Sequence, residues 1–373
     1  MRTKEKFRGC LIGGAVGDAL GYAVEFMQDS DIFRKYGENG ITEYDLYKGT
    51  AQISDDTQMT LFTATGLLLG TTRGMLRGIM GAYEDYIRYS YKDWYRTQTE
   101  HFPLPKEYHY SWLVNVPELF SRRAPGNTCM SALASNQEGS VKHPINHSKG
   151  CGGVMRVAPI GLYFANKRIP VEKSDEIGAE AAAITHGHEL GWLPAAALVH
   201  IIRYLVEHEG ESILAAVEAA HSTLPVIFTE AEKMNVFQAL LQKAIDLSQA
   251  ELDDLDAIRQ LGQGWVGEEA LAIAIYCALK HPDSFEDAIV AAVNHSGDSD
   301  STGAIAGNIM GAALGIQAIP EKYLEKLELR DVILDLADDL LNDCQMEEYD
   351  DFEDPVWVAK YVRMDYQPKE RGE

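Results

Sequence analysis

The chain has 373 residues, of which 46% are hydrophobic, so it can bury a sizeable core and is not a disordered chain. Its net charge of −24 would repel a phosphate backbone, and we expect no nucleic-acid ligand. Residues 1–8 are charged, so we expect no secretory signal there. No long, purely apolar run follows, so we expect no membrane span. Five cysteines without CxxC spacing favour reduced thiols, and we expect a cytoplasmic protein.

The N-terminal segment carries a glycine every four residues, at Gly9, Gly13, Gly17 and Gly21. Glycine in a helix interior costs about 1 kcal/mol relative to alanine, so this ridge predicts the close approach of another backbone. Packing would explain the glycines completely. It does not explain the carboxylate of Glu25, which occupies the next step of the same ridge.

The segment Ser54-Asp55-Asp56-Thr57 precedes an apolar run with helical spacing. Ser54 is predicted to cap this helix, and Asp55 and Asp56 then lie in its first turn, where the helix dipole favours carboxylates. Helix capping would be a sufficient explanation for the whole segment. Cation binding is the alternative.

Helical spacing of apolar residues recurs at 195–205 and 270–277, whereas strand-type alternation is rare. We therefore predict an all-α fold, with a single compact multi-helix domain over residues 1–345 and an acidic C-terminal appendage over 346–373. Residues 331–354 contain 11 acidic residues and no Lys or Arg, which predicts a solvated helix face followed by a loop.

A glycine-rich turn, Gly150-Cys151-Gly152-Gly153, offers backbone N–H groups with few side chains in the way. Such a turn can hold the diphosphate of a nucleotide, although a plain turn explains it as well. Arg156, three residues further on, is either a phosphate contact or a buried structural partner.

A second ridge, with glycines at 303, 307, 311 and 315, follows a loop that holds Asp298 and Asp300. Carboxylates and hydroxyls without cysteine or paired histidine ligands suit hard cations, which indicates Mg²⁺, with Mn²⁺ as the alternative. The four aspartates of this loop and of the 54–57 segment carry more charge than one divalent ion needs. They predict two ions, roughly 3.5 to 4 Å apart.

Seven segments in fixed order resemble the ADP-ribosylglycohydrolase family, and the resemblance extends from about residue 7 to about residue 314. They are GCLIGGAVGDALGYAVEF at 9–26, SDDTQM at 54–59, SRRAPGNTCMSAL at 121–133, SKGCGGVMRVAPIGL at 148–162, THGHELGW at 185–192, GQGWVGEEALAIAIYCAL at 262–279 and HSGDSDSTGAIAGNIMGA at 295–312. The resemblance implies an all-α hydrolase.

The resemblance also implies roles for individual residues. The side chains expected to bind two magnesium ions are Ser54, Asp55, Asp56, Asp298, Asp300 and Ser301. The residues expected to take part in catalysis are Glu25, Asp56 and Asp300. The residues expected to contact the substrate are Gly126, Asn127, Gly150, Gly152, Gly153, Met155, His186 and Trp265. A structural role is the alternative for His186, and Trp265, like Trp192, either stacks on adenine or is buried in the core.

The predicted activity is cleavage of the N-glycosidic bond of ADP-ribosyl-arginine on a protein, which releases ADP-ribose. Carboxylates near the bond would stabilise its oxocarbenium-like transition state. Serine-linked ADP-ribose and O-acetyl-ADP-ribose are alternative substrates. The other hypotheses are an immunity protein that neutralises an ADP-ribosylating toxin and a different two-metal hydrolase, such as a phosphoesterase.

Overall fold

The structure, a computed structural model, describes residues 3–105, 107–135, 137–165 and 167–368. Across these residues it contains α-helices, short 3-10 helices and isolated β-bridges but no β-sheet, so the predicted all-α class is confirmed. The α-helices are α1 (Lys4–Gly21), α2 (Asp29–Tyr36), α3 (Asp55–Arg77), α4 (Tyr83–Thr99), α5 (Asn127–Ala134), α6 (Ala158–Phe164), α7 (Val171–Ala183), α8 (Glu189–Glu207), α9 (Ile213–Ile227), α10 (Met234–Ser248), α11 (Asp254–Leu261), α12 (Gly267–Lys280), α13 (Phe285–Val293), α14 (Ser299–Leu314), α15 (Glu321–Leu324), α16 (Arg330–Asn342) and α17 (Pro355–Tyr361). The 3-10 helices are Trp112–Asn115, Pro117–Phe120, Cys151–Gly153 and Ile316–Ala318.

The two glycine ridges pack against each other, because α1 and α14 run antiparallel with their backbones in contact. The facing pairs are Gly9 with Gly311, Gly13 with Gly307, and Gly17 with Gly303. A methyl group on any of these glycines would collide with the backbone of the opposite helix. The predicted close approach of a second backbone is therefore confirmed, and the antiparallel direction places the end of α1 beside the start of α14.

The helix α8 is long and apolar enough to cross a membrane by length and composition. However, 89% of its apolar window is buried inside the fold, where it packs against α6, α7, α9 and α12. It forms the centre of a hydrophobic core that extends from Phe7 to Tyr361.

The C-terminal helix α17 packs on this same core. The indole of Trp357 donates a hydrogen bond to Thr72 Oγ1 at 2.9 Å, and the ammonium of Lys360 lies 2.8 Å from Asp339 Oδ2. Residues 369–373 of the predicted appendage lie outside the described residues, and the boundary at residue 345 stays a prediction.

The acidic stretch 331–354 is only partly solvated. Its second half, residues 347–353, is exposed, as predicted. The expectation was wrong for Asp339, which is buried because it accepts hydrogen bonds from both Lys360 and Tyr361. Asp338 forms an ion pair with Arg8 on α1. The acidic stretch therefore contacts both α1 and α17.

Candidate functional site

Five carboxylates meet where α1 ends and where α3 and α14 begin. They belong to Glu25, Asp55, Asp56, Asp298 and Asp300, and each residue is at most 7% exposed. Carboxylate oxygens of Glu25, Asp298 and Asp300 lie within 4.8 Å of one another. In the described part of the chain, no lysine or arginine forms an ion pair with any of the five (the acidic cluster hereafter). The fold thus concentrates negative charge in a buried place.

The helix α3 places two of these carboxylates through its N-terminal cap. Ser54 Oγ accepts a hydrogen bond from the backbone N–H of Asp56 at 3.2 Å, so the predicted cap is confirmed. Asp55 Oδ2 accepts from the backbone N–H of Gly126 at 3.2 Å, which connects α3 to the start of α5. Gly126 and its neighbour Asn127 are exposed at this end of α5.

The helix α14 repeats this arrangement from the opposite side. Asp298 is its N-cap, and Asp298 Oδ1 accepts a hydrogen bond from the backbone N–H of Ser301 at 3.3 Å. The same N–H lies 3.0 Å from Asp300 Oδ1. Ser301 is buried, so all six residues predicted to bind metal surround one buried region.

Asp18 is a structural residue of the site that the sequence reasoning missed. Its fully buried carboxylate accepts hydrogen bonds from the backbone N–H groups of Ser54 and Thr57, each at 3.0 Å. These bonds fix the first turn of α3 against α1. The signal was present in the sequence, because Asp18 is the single carboxylate in residues 9–21, a stretch that is otherwise apolar and glycine-rich.

The glycine-rich turn borders the acidic cluster. The thiol of Cys151 donates a hydrogen bond to Asp298 Oδ2 at 2.7 Å, and its backbone N–H donates to Trp265 O at 3.3 Å. Gly150 forms an isolated bridge with Val266, which holds the turn beside the start of α12. The predicted diphosphate turn and the acidic cluster are therefore neighbours, and the contact between them is a thiol that was not predicted.

His186 and Met155 are buried next to the glycine-rich turn at 150–153. His186 is 2% exposed, and its Nδ1 lies 2.8 Å from Thr185 Oγ1. Burial, together with the nearby Arg156, lowers the pKa of His186 to about 3, so the ring is neutral. Its imidazole supports the turn, since a methyl group on Gly150 would lie 3.2 Å from His186 Nε2. Met155 Sδ lies 4.0 Å from Ser301 Oγ, and substrate contact by either residue stays a prediction.

Arg156 and Trp192 have structural roles. The guanidinium of Arg156 is fully buried, lies over the ring of Tyr91 at 4.4 Å and donates to Thr185 Oγ1 at 2.7 Å. The hypothesis that Arg156 contacts a phosphate is therefore wrong, because its donors point into the core. Trp192 is 4% exposed and packs against Phe228, which makes it a core residue.

Trp265, in contrast, lies at the surface. It is 38% exposed and stacks on Phe26, which is 73% exposed; the ring centroids are 6.0 Å apart and the planes 20° from parallel. Phe26 was not among the predicted site residues, and its exposure in the structure is what identifies it.

The protonation of the acidic cluster is abnormal. Burial and the charges of Asp298, Asp55 and Asp18 raise the pKa of Glu25 to about 9. Burial raises the pKa of Asp55 to about 8. The pKa values of Asp56 and Asp300 also lie well above the ordinary range, because both are buried beside other carboxylates.

A divalent cation fits this site. Glu25 Oε2 and Asp56 Oδ1 are buried oxygens without a hydrogen-bond partner, and the surrounding ligands are oxygens, as Mg²⁺ and Mn²⁺ prefer. Bound cations would supply the positive charge that the described side chains around the cluster do not provide.

The metal-free protein is expected to become less stable as the pH rises. The carboxyls of Glu25 and Asp55 keep their protons in the folded chain up to folded pKa values of about 9 and about 8, whereas the unfolded chain loses them near their ordinary values. Stability should therefore fall between about pH 5 and about pH 9, and thermal melting in a chelator would measure this. Glu25→Gln should flatten the slope, and an unchanged slope would contradict these assignments.

Several known proteins that this chain resembles in sequence or in structure are named as ADP-ribosyl hydrolases or glycohydrolases or as related to them. The family model described as ADP-ribosylglycohydrolase matches residues 1–350. The ADP-ribosyl-(dinitrogen reductase) glycohydrolase of Rhodospirillum rubrum is 26% identical over 329 residues, which cover 86% of this chain and 90% of the relative. The ADP-ribosylarginine hydrolase Tri1 of Serratia proteamaculans is 26% identical over 345 residues, which cover 90% and 79%. A solved "ADP-ribosylglycohydrolase-related protein complex" has the same fold, with a TM-score of 0.59, 22% identity and coverage of 91% of this chain and 98% of its own.

Proposed function

The chain belongs to the ADP-ribosylglycohydrolase family, and we propose that it is a metal-dependent hydrolase that removes ADP-ribose from arginine side chains of proteins. The observation that carries this proposal is the acidic cluster, in which five buried carboxylates meet and none forms an ion pair with a described lysine or arginine. Buried structural carboxylates are normally paired, so an unpaired cluster either keeps protons, as in the metal-free protein, or binds a cation, and we propose the second for the active protein. We propose the cytoplasm as the location, where the five free cysteines would stay reduced.

The proposed metal ligands are the buried oxygens at the starts of α3 and α14. They are Ser54, Asp55, Asp56, Asp298, Asp300 and Ser301. Two Mg²⁺ ions, or Mn²⁺ in their place, would lower the pKa of water and orient the ribose hydroxyls. Asp18 and the cap of Ser54 would hold the α3 ligands in position.

The reaction exchanges one bond at the anomeric carbon. An oxygen–carbon bond forms from water, the bond from carbon to the guanidine nitrogen breaks, and the nitrogen leaves with a proton. Glu25 Oε2, buried and without a partner, is available to a ribose hydroxyl or to a proton in transfer. Asp56 Oδ1 is available in the same way, and Asp300 lies against Glu25. These carboxylates would stabilise the positive charge that develops on the sugar ring.

The substrate would extend from the acidic cluster over the neighbouring turn. Gly150, Gly152 and Gly153 border the cluster through Cys151, as a diphosphate site next to the reacting ribose would require. The exposed Gly126 and Asn127 lie at the N-terminus of α5, on the side of Asp55. The N–H groups of Gly126 and Cys151 are already bonded to Asp55 and to the Trp265 carbonyl, so the remaining backbone N–H groups of the turn and of the start of α5 would contact an anionic or polyhydroxylated ligand.

Arginine is our proposed acceptor, since a relative of this chain along most of its length is named an ADP-ribosylarginine hydrolase. An immunity protein that only covers a toxin would not need unpaired buried carboxylates, so that alternative is weaker. A phosphoesterase could use the carboxylates, but the family does not support it.

The decisive experiment is release of free ADP-ribose from arginine-linked, serine-linked and O-acetyl conjugates. We expect the arginine conjugate to be cleaved with Mg²⁺, activity to disappear in a chelator, and added Mg²⁺ or Mn²⁺ to restore it. Cleavage of the serine or O-acetyl conjugate alone would change the proposed acceptor. An absence of release from all three, by a folded protein, would leave the immunity function as the better explanation.

A further inference from the structure

We propose that the stacked rings of Phe26 and Trp265 bind the guanidinium of the acceptor arginine. This inference rests on the proposed function and deepens it, because it names the residues that would distinguish a cationic acceptor from a neutral one. We refer to these two residues as the aromatic pair.

The aromatic pair is exposed although it is anchored to buried elements on both sides. Phe26 is 73% exposed, yet it follows Glu25, which is 7% exposed. Trp265 is 38% exposed, and its backbone oxygen accepts a hydrogen bond from Cys151, whose thiol contacts Asp298. Aromatic rings this exposed and this well positioned are typical of binding surfaces.

The location places the aromatic pair beside the bond that would be cleaved. Phe26 is one residue from Glu25, and the segment that leads to Trp265 lies on Asp298: the backbone N–H of Asp298 donates to Gln263 O at 2.8 Å. A methyl group on Gly264 would lie 3.4 Å from Asp298 Cβ. Both residues are therefore anchored beside the acidic cluster by their backbones, and a ligand on their rings would lie at the surface near the cluster.

Charge and shape favour a guanidinium as the occupant. A guanidinium is planar and cationic, and it stacks on aromatic faces. With two Mg²⁺ ions bound, the five carboxylates of the acidic cluster would still carry one negative charge in excess, close to the aromatic pair. Among the described salt bridges, no lysine or arginine neutralises any of the five.

The alternative occupant, the adenine, is the less suitable one. In ADP-ribose, two phosphates and a second ribose separate the adenine from the anomeric carbon, whereas the acceptor nitrogen is bonded to that carbon. Rings next to the acidic cluster, as Phe26 is through Glu25 and Trp265 through the segment that contacts Asp298, are thus closer to the acceptor than to the purine. The positions of Phe26 next to Glu25 and of Trp265 near Asp298 therefore favour the acceptor, and adenine binding is the competing outcome of the experiment.

The test compares two substrates that differ in the acceptor and share the ADP-ribose. For Phe26→Ala and Trp265→Ala, we expect KM for ADP-ribosyl-arginine to rise about tenfold with little change in kcat, and KM for O-acetyl-ADP-ribose to rise several-fold less. Phe26→Tyr and Trp265→Phe, which keep a ring, should retain most of the native KM. Tyr349→Ala, at a 94% exposed aromatic position, is the control and should behave like the native protein.

The outcomes that overturn the inference are distinct from those that overturn the proposed function. Equal increases in KM for both substrates would assign the rings to the ADP-ribose portion, and unchanged values for both would leave them without a role in binding. If no conjugate is hydrolysed, the proposed function fails. Agmatine then serves as the probe: we expect it to bind the native protein in an NMR titration, to bind Phe26→Ala more weakly, and to outcompete its neutral urea analogue. Equal binding to both proteins would overturn the aromatic pair as a guanidinium site.

Discussion

Asp300→Asn should reduce ADP-ribose release about a thousandfold while the metal-free protein stays at least as stable as the native one. Asp300 is 2% exposed, and its pKa lies well above the ordinary range because of burial and of the charges of Asp56 and Asp298. Asparagine has nearly the same shape but no charge, so it relieves this repulsion in the absence of cations. The same change removes a proposed metal ligand, and Mg²⁺ should then raise the melting temperature less than in the native protein.

The control for this variant is Asp175→Asn. Asp175 is also fully buried, but its carboxylate lies 2.8 Å from His200 Nδ1, away from the acidic cluster. We expect this substitution to lower the melting temperature and to leave specific activity nearly native. Assays of ADP-ribose release and thermal melting, each with and without Mg²⁺, measure both effects. Comparable activity losses in the two variants would indicate general damage and contradict the role of Asp300.

Gly17→Val should prevent the native fold, at a cost of at least about 4 kcal/mol in the free energy of unfolding. A side chain at Gly17 would meet the carbonyl of Gly303 and the backbone N–H of Ala304, neither of which can move without separating α1 from α14. That separation would also withdraw Glu25 from Asp300. The variant should therefore lose soluble yield, cooperative melting and activity together.

A helical glycine without a facing backbone provides the comparison. Gly74 lies in α3, and the atoms nearest to an added methyl group belong to the side chain of Met80, which is 40% exposed and free to move. Gly74→Ala should be neutral or stabilising by up to about 1 kcal/mol, since alanine is the better helix former. Circular dichroism melting of both variants tests the difference. A Gly17 variant that melts like the Gly74 variant would show that the contact between α1 and α14 tolerates separation.

Much of the fold and of the acidic cluster could be predicted from local patterns. Helical spacing of apolar residues identified an all-α chain, and Ser54 was recognisable as a cap because a hydroxyl directly before a helix satisfies a free N–H group. The ridges of Gly17 and Gly303 predicted backbone contact, since no local benefit explains repeated glycines in a helix. These inferences succeeded because each depends on residues within a single helix.

Other features depend on residues that are distant in the sequence. Asp18 accepts a hydrogen bond from the backbone of Ser54, which is 36 residues away in the sequence. Cys151 donates one to Asp298, which is 147 residues away. From the sequence, Arg156 could equally contact a phosphate or lie in the core. In the structure its guanidinium lies over the ring of Tyr91 and donates to Thr185, so it is a core residue. The chain's local chemistry established helices, caps and carboxylates, whereas the antiparallel packing of α1 and α14 established that these carboxylates share one buried site. The physical reason is that desolvation and charge repulsion arise only when groups from remote segments are brought together in a place that water does not reach.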